Sequence, residues 1–319
     1  MKSGILLPNG TVQHRGGTAL EMSIGNPLLL PREIAVEIDT GKMKVGNGTD
    51  NWNSLPYVCS CSGNSGSESN EAETHNAIYS AENLGAFTDT ISANIRNGSF
   101  TNIYPCSYFD FTNVAYSYLD ENDTTQNDTY SGRMRVMHLN YPQCCGDTSF
   151  KTNSILVAPD TCMFNAKMND TNTTEGGYVG SKMRRIYLRR AEAIFKACFG
   201  EDHVLTYTEY LVNAVTDGKP SGCVLCNCKV ELMDERMIFG SYQYDSGTHD
   251  ETVAPEMYLT KHIQLAAFQH DNTLIANGTW YWERNVSSAA AFAGVRSDGG
   301  ANAGLAPYVA GVRPAALIK

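Results

Sequence analysis

The sequence is poor in charged residues and lacks the features of several common protein classes. Only 18% of its 319 residues are charged, against about 25% in an ordinary soluble domain. No apolar run approaches the roughly 20 residues that span a bilayer, and the apolar stretch near Met1 is too short for a signal peptide. We therefore expect a folded chain that neither inserts into a membrane nor follows a signal-directed export route.

Positive charge is scarce as well. Lys and Arg number 24 against 34 Asp and Glu, which gives a net charge of -10. Neutralising phosphates requires a positive surface, so the composition disfavours a nucleic-acid binder. One predicted helix, over 181–199, does carry five basic residues without interleaved aromatics, which indicates a solvated outer face. They are Lys182, Arg184, Arg185, Arg189 and Arg190.

Signatures of catalysis and of metal binding are also missing. The sequence has no His-Glu-x-x-His, no Gly-rich phosphate loop and no Gly-x-Ser-x-Gly elbow. Its ten cysteines include Cys223, Cys226 and Cys228, whose spacing suits a zinc knuckle, but a structural zinc needs four ligands. Further ligands would have to come from Cys144, Cys145, His203 or His249. Zinc, a disulfide and free thiols stay open, and we favour free thiols with no metal and no cofactor.

The N-terminal part of the chain reads as a small β-rich region. Ile34–Ile38 and Met43–Val45 flank a turn at 39–42, the pattern of a hairpin. Residues 1–57 have too little interior to be stable alone, so we expect their apolar face to pack against copies of itself or against a neighbour. Residues 58–84 contain a Ser, Gly, Glu and Asn run that predicts a flexible linker.

Residues 85–319 have the composition of a compact α+β domain. Helical spacing and capping residues predict helices at Thr88–Asn97 and Ser181–Phe199, and around 206–215 and 260–270. Short apolar runs predict strands at 155–158, 238–242, 280–282 and 316–318. Residues 286–311 are mostly small, and a core would not be built from Ala290, Ala291, Gly294, Gly299, Gly300, Ala301 and Gly304. This stretch therefore predicts a long surface loop.

Several N-terminal stretches resemble one family of phage proteins. They are Arg15–Ala19, Asn26-Pro27, Glu33–Gly41, Lys44–Gly48 and Trp52–Tyr57. They resemble the N-terminal module of bacteriophage tail fibres that is shared with the major tropism determinant. The resemblance implies a small β-prism-like trimerisation module over residues 1–57.

Stretches near the C-terminus resemble C-type-lectin-fold variable proteins, which are diversified by diversity-generating retroelements. They are Tyr281–Val286, Phe292-Ala293, Ser297–Gly300 and Gly311–Pro314, with further similarity at Val157–Thr161, Glu175–Tyr178, Phe199–His203 and Glu231–Met233. The resemblance implies an α+β, C-type lectin-like domain over 85–319 with a variable segment at about 280–311. The calcium signatures Glu-Pro-Asn, Gln-Pro-Asp and Trp-Asn-Asp of animal lectins are missing, so calcium-dependent sugar binding is not implied.

The same resemblance implies a ligand-binding surface within the variable segment. The candidate ligand-binding residues are Glu283, Asn285, Ser288, Ala290, Ala291, Gly294, Arg296, Asp298, Asn302, Leu305, Ala306, Pro307 and Tyr308. Adenine-directed mutagenesis of Asn codons yields neither Trp nor Glu, so Trp280 and Glu283 are expected to be scaffold or flanking contacts. Tyr308 is the expected anchor, because it offers the largest contact area.

Five further residues of this region resemble the fixed framework of the lectin-like domain. They are Trp282, Arg284, Val295, Val312 and Arg313. The apolar members should face the core. Arg284 and Arg313 need polar partners where they are buried.

Taken together, the resemblances imply a receptor-binding protein at the tip of a phage tail fibre, carried on the virion. Its partners would be a bacterial surface receptor, either protein or glycan, other tail-fibre proteins and two further copies of itself in a homotrimer. We expect a binder and not an enzyme. Two alternatives stay open: a fibre-borne glycan-degrading enzyme, which would need two carboxylates about 5 to 10 Å apart in a cleft, and a purely structural tail protein.

Overall fold

The structure, a computed structural model, describes residues 5–6, 12–13, 15–38, 43–55, 71–142, 150–247 and 262–319. Within these ranges the protein is mixed α/β, mostly sheet with a few short helices, in agreement with the predicted α+β class. The chain divides into two compact units, Met1–Glu68 and Ser69–Lys319. None of the helices in the described ranges is long and apolar enough to cross a membrane.

The N-terminal unit is built from short strands and one helix. Its elements are β1 (Ile5–Leu6), β2 (Val12–Gln13), β3 (Arg15–Gly17), α1 (Ala19–Gly25), β4 (Ile34–Glu37), β5 (Met43–Val45) and a 3-10 turn (Trp52–Ser54). β4 pairs with β5 antiparallel and with β3 parallel, so the predicted hairpin is confirmed; its turn, 39–42, lies outside the described residues. Thr18 and Glu21 form a capping box that begins α1.

The described core of this unit is small and its exposed apolar surface is large. Five residues pack together inside it: Met22, Leu29, Ala35, Trp52 and Leu55. Seven large hydrophobic side chains are exposed: Leu20, Ile24, Leu28, Leu30, Ile38, Met43 and Val45. Soluble monomers rarely expose so much apolar surface in one small region. The described part of this unit is consistent with the expectation of a small interior, which stays a prediction for residues 1–57 as a whole.

The C-terminal unit has seven helices and twelve strands within the described residues. In chain order they are α2 (Glu71–Asn76), α3 (Asp89–Arg96), β6 (Tyr108–Leu119), β7 (Thr125–Leu139), β8 (Ile155–Pro159), β9 (Phe164–Ala166), α4 (Gly177–Gly180), a π-helix (Met183–Tyr187), α5 (Leu188–Phe199), β10 (Tyr207–Thr216), β11 (Lys219–Cys228), β12 (Val230–Leu232), α6 (Glu235–Phe239), α7 (Ala266–His270), β13 (Tyr281–Val286), β14 (Ala291–Val295), β15 (Ala301–Leu305), β16 (Ala310–Val312) and β17 (Pro314–Ile318).

The predicted linker is too long at its C-terminal end. Residues 71–76 form α2, in which Ala72 is buried and His75 Nδ1 lies 2.8 Å from the Ile103 carbonyl oxygen. Asn76 both donates to and accepts from the backbone of Leu139. These contacts tie 71–84 to the C-terminal unit, while 58–70 lie outside the described residues.

Two five-stranded sheets organise the C-terminal unit. The first has the order β12-β17-β8-β7-β6 and is antiparallel throughout, with the last strand of the chain, β17, near its centre. The second has the order β15-β14-β13-β16-β9, in which β13 and β16 run parallel. β10 and β11 form a separate two-stranded hairpin. The second sheet contains nearly all of the segment 280–311.

Most predicted elements exist, but three are wrong in type or extent. Residues 207–216 form strand β10 and not a helix, because they pair along their length with β11. Residues 235–239 form a helix where a strand was predicted over 238–242, since Asp234 caps its start and Gly240 its end. The predicted helix around 260–270 is shorter, since only Ala266–His270 (α7) are helical, 262–265 are not, and 260–261 lie outside the described residues. The predicted helix over 181–199 is confirmed, because the π-helix at Met183–Tyr187 runs without a break into α5. The helix capped by Thr88 and the strands at 155–158 and 316–318 are confirmed.

Candidate functional site

Residues 286–311 do not form the predicted long loop, because the segment 280–311 contains three strands and part of a fourth. Three of its glycines are required by close packing. A Cβ at Gly294 would overlap the Trp280 indole and lie 2.7 Å from the Tyr281 carbonyl oxygen, and a Cβ at Gly311 would overlap Cys162 Sγ. A Cβ at Gly304 would lie 3.0 Å from the Trp282 ring. The expectation that such residues cannot build a core was wrong, because large aromatic neighbours fill the space that the small residues leave.

Four of the candidate ligand-binding residues lie inside the protein. Glu283, Asn285, Gly294 and Ala306 are buried, Glu283 and Ala306 with no exposed surface. These four are therefore corrected from surface contacts to interior positions. β13 is buried along its whole length and β14 from Phe292 to Val295, so neither strand has a face open to solvent there. Ala306 directly follows β15, and its N–H donates to the Ala290 carbonyl oxygen.

Asn285 holds together a buried group of acidic residues. Its Nδ2 donates to Asp234 at 2.9 Å and to Asp245 at 2.8 Å, and its Oδ1 accepts from the Glu235 N–H at 2.8 Å. Glu283 lies beside this group, and neither of its carboxylate oxygens has a hydrogen-bond partner. Burial, together with repulsion from Glu235 and Asp234, raises the pKa of Glu283 well above its usual value. Its surroundings thus favour the neutral form of this carboxyl group.

The turn between β13 and β14 exposes Ser288 and leaves Ala290 and Ala291 half-buried. Its backbone is held by residues outside the segment. Thr174 donates its hydroxyl to the Ser288 carbonyl at 2.8 Å and its N–H to the Ala289 carbonyl at 3.1 Å. These contacts use main-chain oxygens, and the exposed Ser288 hydroxyl only accepts a local hydrogen bond from the Ala290 N–H at 3.3 Å.

The turn between β14 and β15 exposes Arg296 and Asp298, which form an ion pair at 2.7 Å. The hydrogen bond from Arg296 lowers the pKa of the Asp298 carboxyl, which also accepts from the Gly300 N–H. Both charges are satisfied within the turn. A ligand would meet a locally neutral pair here.

A groove of about 400 Å³ opens on the second sheet and includes Asn302 and Tyr308 of the candidate set. Tyr308 is 58% exposed and Asn302 is half-buried. The remaining lining residues are Asn165, Thr279, Trp280, Trp282, Ala303, Gly304, Val309 and Ala310. Leu305 and Pro307 are half-buried but are not among the residues that line the groove.

Trp280, expected from the sequence to be a scaffold or flanking contact, lines the groove. The Trp280 and Trp282 rings meet edge to face with centroids 4.6 Å apart, and Trp282 Nε1 donates to the Ala166 carbonyl at 2.9 Å. The available signal was the spacing of two residues, which places both indoles on one face of a strand. Asn165 has no comparable signal, because it reaches the groove from β9.

The predicted framework residues are buried as expected. Arg284 donates to the Glu209 carboxylate and lies 2.8 Å from His262 Nε2. Burial of Glu209 alone would raise its pKa, but Arg284 and His262 lower the pKa to about 2. Arg313 donates to the carbonyl oxygens of Pro159 and Ile275.

The basic residues around α5 are not simply a solvated face. Lys182 pairs with Glu121, Arg189 with Asp123 and Arg190 with Asp128, all on the β6–β7 hairpin, while Arg184 pairs with the buried Glu231. These pairs join the hairpin and β12 to the helix. Their positive charge is compensated within the fold.

The cysteine-rich strand β11 shows no metal-binding arrangement. Cys226 and Cys228 form no disulfide, and burial raises the pKa of the Cys228 thiol. Within the described part of the chain, no group of three or more His, Cys, Asp or Glu residues could hold a metal ion. Cys144, Cys145 and His249 lie outside the described residues, while His203 Nδ1 lies 2.8 Å from the Lys319 carbonyl oxygen.

Comparison with known proteins gives one family match, confined to the N-terminal unit. Residues 12–50 match the family model described as the major tropism determinant N-terminal domain. No curated protein matches the chain.

Two similar solved structures come from streptococcal phages. One is a group A streptococcal phage-encoded tail fibre showing hyaluronan lyase activity, with 31% identity over 16% of this chain and 16% of that chain and a TM-score of 0.15. The other is a full-length streptococcal bacteriophage hyaluronidase, with 32% identity over 18% of this chain, 16% of that chain and a TM-score of 0.16. The match over residues 12–50 supports a tropism determinant protein of phage tail fibres.

Proposed function

We propose that the chain is a receptor-binding protein of a phage tail fibre, carried on the virion, and that its second sheet displays the binding surface. The observation that carries this proposal is the groove formed by Trp280, Asn302 and Tyr308, beside turns that other parts of the fold hold by their backbone. Surface residues on a rigid frame are suited to binding. The tropism determinant match at 12–50 supports the same function.

We further propose that the C-terminal unit has a C-type lectin-like fold and that its exposed positions are varied by a retroelement. Sequencing this locus in sibling isolates, with its flanking DNA, tests the proposal. Substitutions should concentrate at exposed positions such as Ser288, Arg296 and Tyr308, beside a template repeat and a reverse transcriptase. Gly294 and Gly311 should stay unchanged because of their packing. Substitutions spread evenly over the whole gene would contradict the proposal.

The receptor-binding function is tested with a variant that removes the groove side chains Asn302 and Tyr308 together. We expect N302A/Y308A virions to lose adsorption to their host, with an unchanged melting temperature because both side chains reach the surface. The matched control is Glu73→Ala, an exposed position on α2. Unchanged adsorption of the double variant would favour the purely structural alternative. Turnover of purified host glycans by the full chain would favour the enzyme alternative.

We propose a homotrimer on the basis of the apolar surface of the N-terminal unit. Leu20 is 68% and Ile24 is 77% exposed on α1, one turn apart on the same face. Packing such surfaces against two copies would bury them. Light scattering of the full chain should give three times the chain mass, and L20K/I24K should shift it towards the monomer. A monomeric unsubstituted chain would contradict the proposal.

A further inference from the structure

The polar groups around the groove have unused hydrogen-bonding capacity. They are the Asn165 amide, the Thr279 hydroxyl, the Asn302 Nδ2 and the Tyr308 hydroxyl. Within the described residues, none of these four groups bonds to another protein atom, while Asn302 Oδ1 already accepts from the Ala303 N–H at 2.9 Å. Amides and hydroxyls both donate and accept. The rim can therefore form hydrogen bonds with a ligand whose polar groups both donate and accept.

The floor of the groove is apolar and rigid. Trp280 is half-buried, and Trp282 is locked beneath it by its bond to the Ala166 carbonyl. Gly304 lies directly against both indoles, because any Cβ there would lie within 3.1 Å of each ring. Aromatic surface of this kind packs well against the C–H face of a ring.

The groove carries no charged side chain among its lining residues, all of which belong to the described part of the chain. The nearby ion pair of Arg296 and Asp298 is closed on itself and does not line the groove. A charged ligand would thus gain no counterion. An apolar protein side chain would fit the floor, but it would leave buried amide and hydroxyl groups of the rim unpaired, which costs free energy.

We propose that this groove binds an uncharged sugar residue of a bacterial surface glycan, an inference that rests on the receptor-binding function proposed above. The sugar ring packs its C–H face on Trp280 and Tyr308, and its hydroxyls exchange hydrogen bonds with Asn165, Thr279 and Asn302. A volume of about 400 Å³ falls in the usual range of small-ligand pockets. Asn165 provides a specific test of this inference, because it lies on β9, outside the segment 280–311 that contains all the candidate ligand-binding residues.

The test measures binding of the labelled full chain to host bacteria after two treatments. Mild periodate cleaves the vicinal diols of sugars, and protease removes surface proteins. We expect periodate to reduce binding about tenfold or more and protease to leave it unchanged. Neutral oligosaccharides released from the same cells should compete for binding, and the charged fraction should not.

Variants link the effect to the groove. Asn165→Ala and Tyr308→Ala should each weaken binding to untreated cells by about tenfold, while Tyr308→Phe, which keeps the ring, should lose less. Glu73→Ala serves as the control, and melting temperatures confirm that each variant is folded. Wild-type binding by Asn165→Ala and Tyr308→Ala would overturn the groove as the site.

The outcomes separate this inference from the proposed function. Loss of binding after protease but not after periodate would show a protein receptor, which overturns the glycan inference and leaves receptor binding intact. Competition by the charged fraction alone would overturn the uncharged ligand. Unchanged adsorption of N302A/Y308A virions would contradict the proposed function itself.

Discussion

The strands and the turns of the segment 280–311 carry similar small residues for opposite reasons. In the strands, Gly294 and Gly304 are small because the Trp280 and Trp282 rings occupy the space of a side chain. In the turn between β13 and β14, Ser288 is exposed and its hydroxyl accepts only from the Ala290 N–H, while Thr174 holds the main chain, so packing does not set the size of this residue. The comparison teaches that residue size does not reveal which positions are free to change. A position is constrained when a neighbour contacts its side chain, and it is free to change when its neighbours contact only its main chain.

The largest effect is expected for Arg284→Met, on the interior side of the comparison. The substitution leaves Glu209 buried without its main counterion, which should lower the free energy of unfolding by about 3–5 kcal/mol at pH 7. Urea denaturation measures the loss. Arg189→Met is the matched control, because its pair with Asp123 is exposed and should contribute less than about 1 kcal/mol.

The same pair predicts a pH dependence with a definite sign. The folded pKa of Glu209 is lowered to about 2, so its contribution to stability is fully present above the unfolded pKa near 4.5 and is lost as the pH falls towards 2. The difference between wild type and Arg284→Met should therefore shrink across that window. A difference that stays constant from pH 5 to pH 2 would contradict the assignment.

A smaller loss in the free energy of unfolding is expected for Gly294→Ala, which places a methyl group against the Trp280 indole and the Tyr281 backbone. Overpacking of this kind costs about 1–3 kcal/mol, and thermal unfolding measures it. Gly300→Ala is the control in the adjacent turn, because its methyl group would meet only the movable end of the Arg296 side chain. Equal losses in both variants would remove the distinction between strand and turn.

Glu283→Met should have the opposite sign and raise the free energy of unfolding by about 1 kcal/mol at pH 7. The wild-type carboxyl is buried without partners and has a raised folded pKa, so it weakens the fold as the pH rises above the unfolded value of 4.5. The gain should vanish below pH 4. Receptor binding should be unchanged, because Glu283 has no exposed surface. Loss of binding in a stable variant would restore Glu283 as a contact residue.

The smallest effect is expected for Ser288→Ala, which should change the free energy of unfolding by less than about 0.5 kcal/mol. Thr174→Val is the informative companion, since it removes the hydroxyl bond to the same turn and should cost about 1 kcal/mol. Thermal unfolding compares the two. A larger loss in Ser288→Ala than in Thr174→Val would reverse the comparison.

Capping residues and short apolar runs predicted correctly those elements that can be recognised from their own residues. Thr88 caps α3 as its side chain predicts, and the apolar run 155–158 forms the middle strand of the first sheet. The helix prediction was wrong for residues 207–216, because their apolar residues also fit helical spacing. Only the pairing with β11 shows that they form a strand. The strand prediction at 238–242 was wrong for the same reason, because Asp234 and Gly240 cap a helix there.

The candidate site was predictable as a region but not residue by residue. Ser288, Arg296 and Tyr308 reach the surface as expected for exposed turns. Glu283 and Asn285 do not, because nothing in one sequence shows that β13 is covered on both faces. Asn165 joins the groove through a parallel pairing of β13 with β16, followed by β9, which links distant parts of the chain.

The central place of β17 in the first sheet has a consequence for how variants are screened. β17 pairs with both β12 and β8, so the first sheet cannot close until Pro314–Ile318 have been made. Any stop codon or shift of reading frame within 280–311 removes this strand together with the framework residue Arg313. We expect such a product to lack an inner strand of the first sheet and to fail to fold, so that a screen of variants in 280–311 recovers only chains with an intact reading frame.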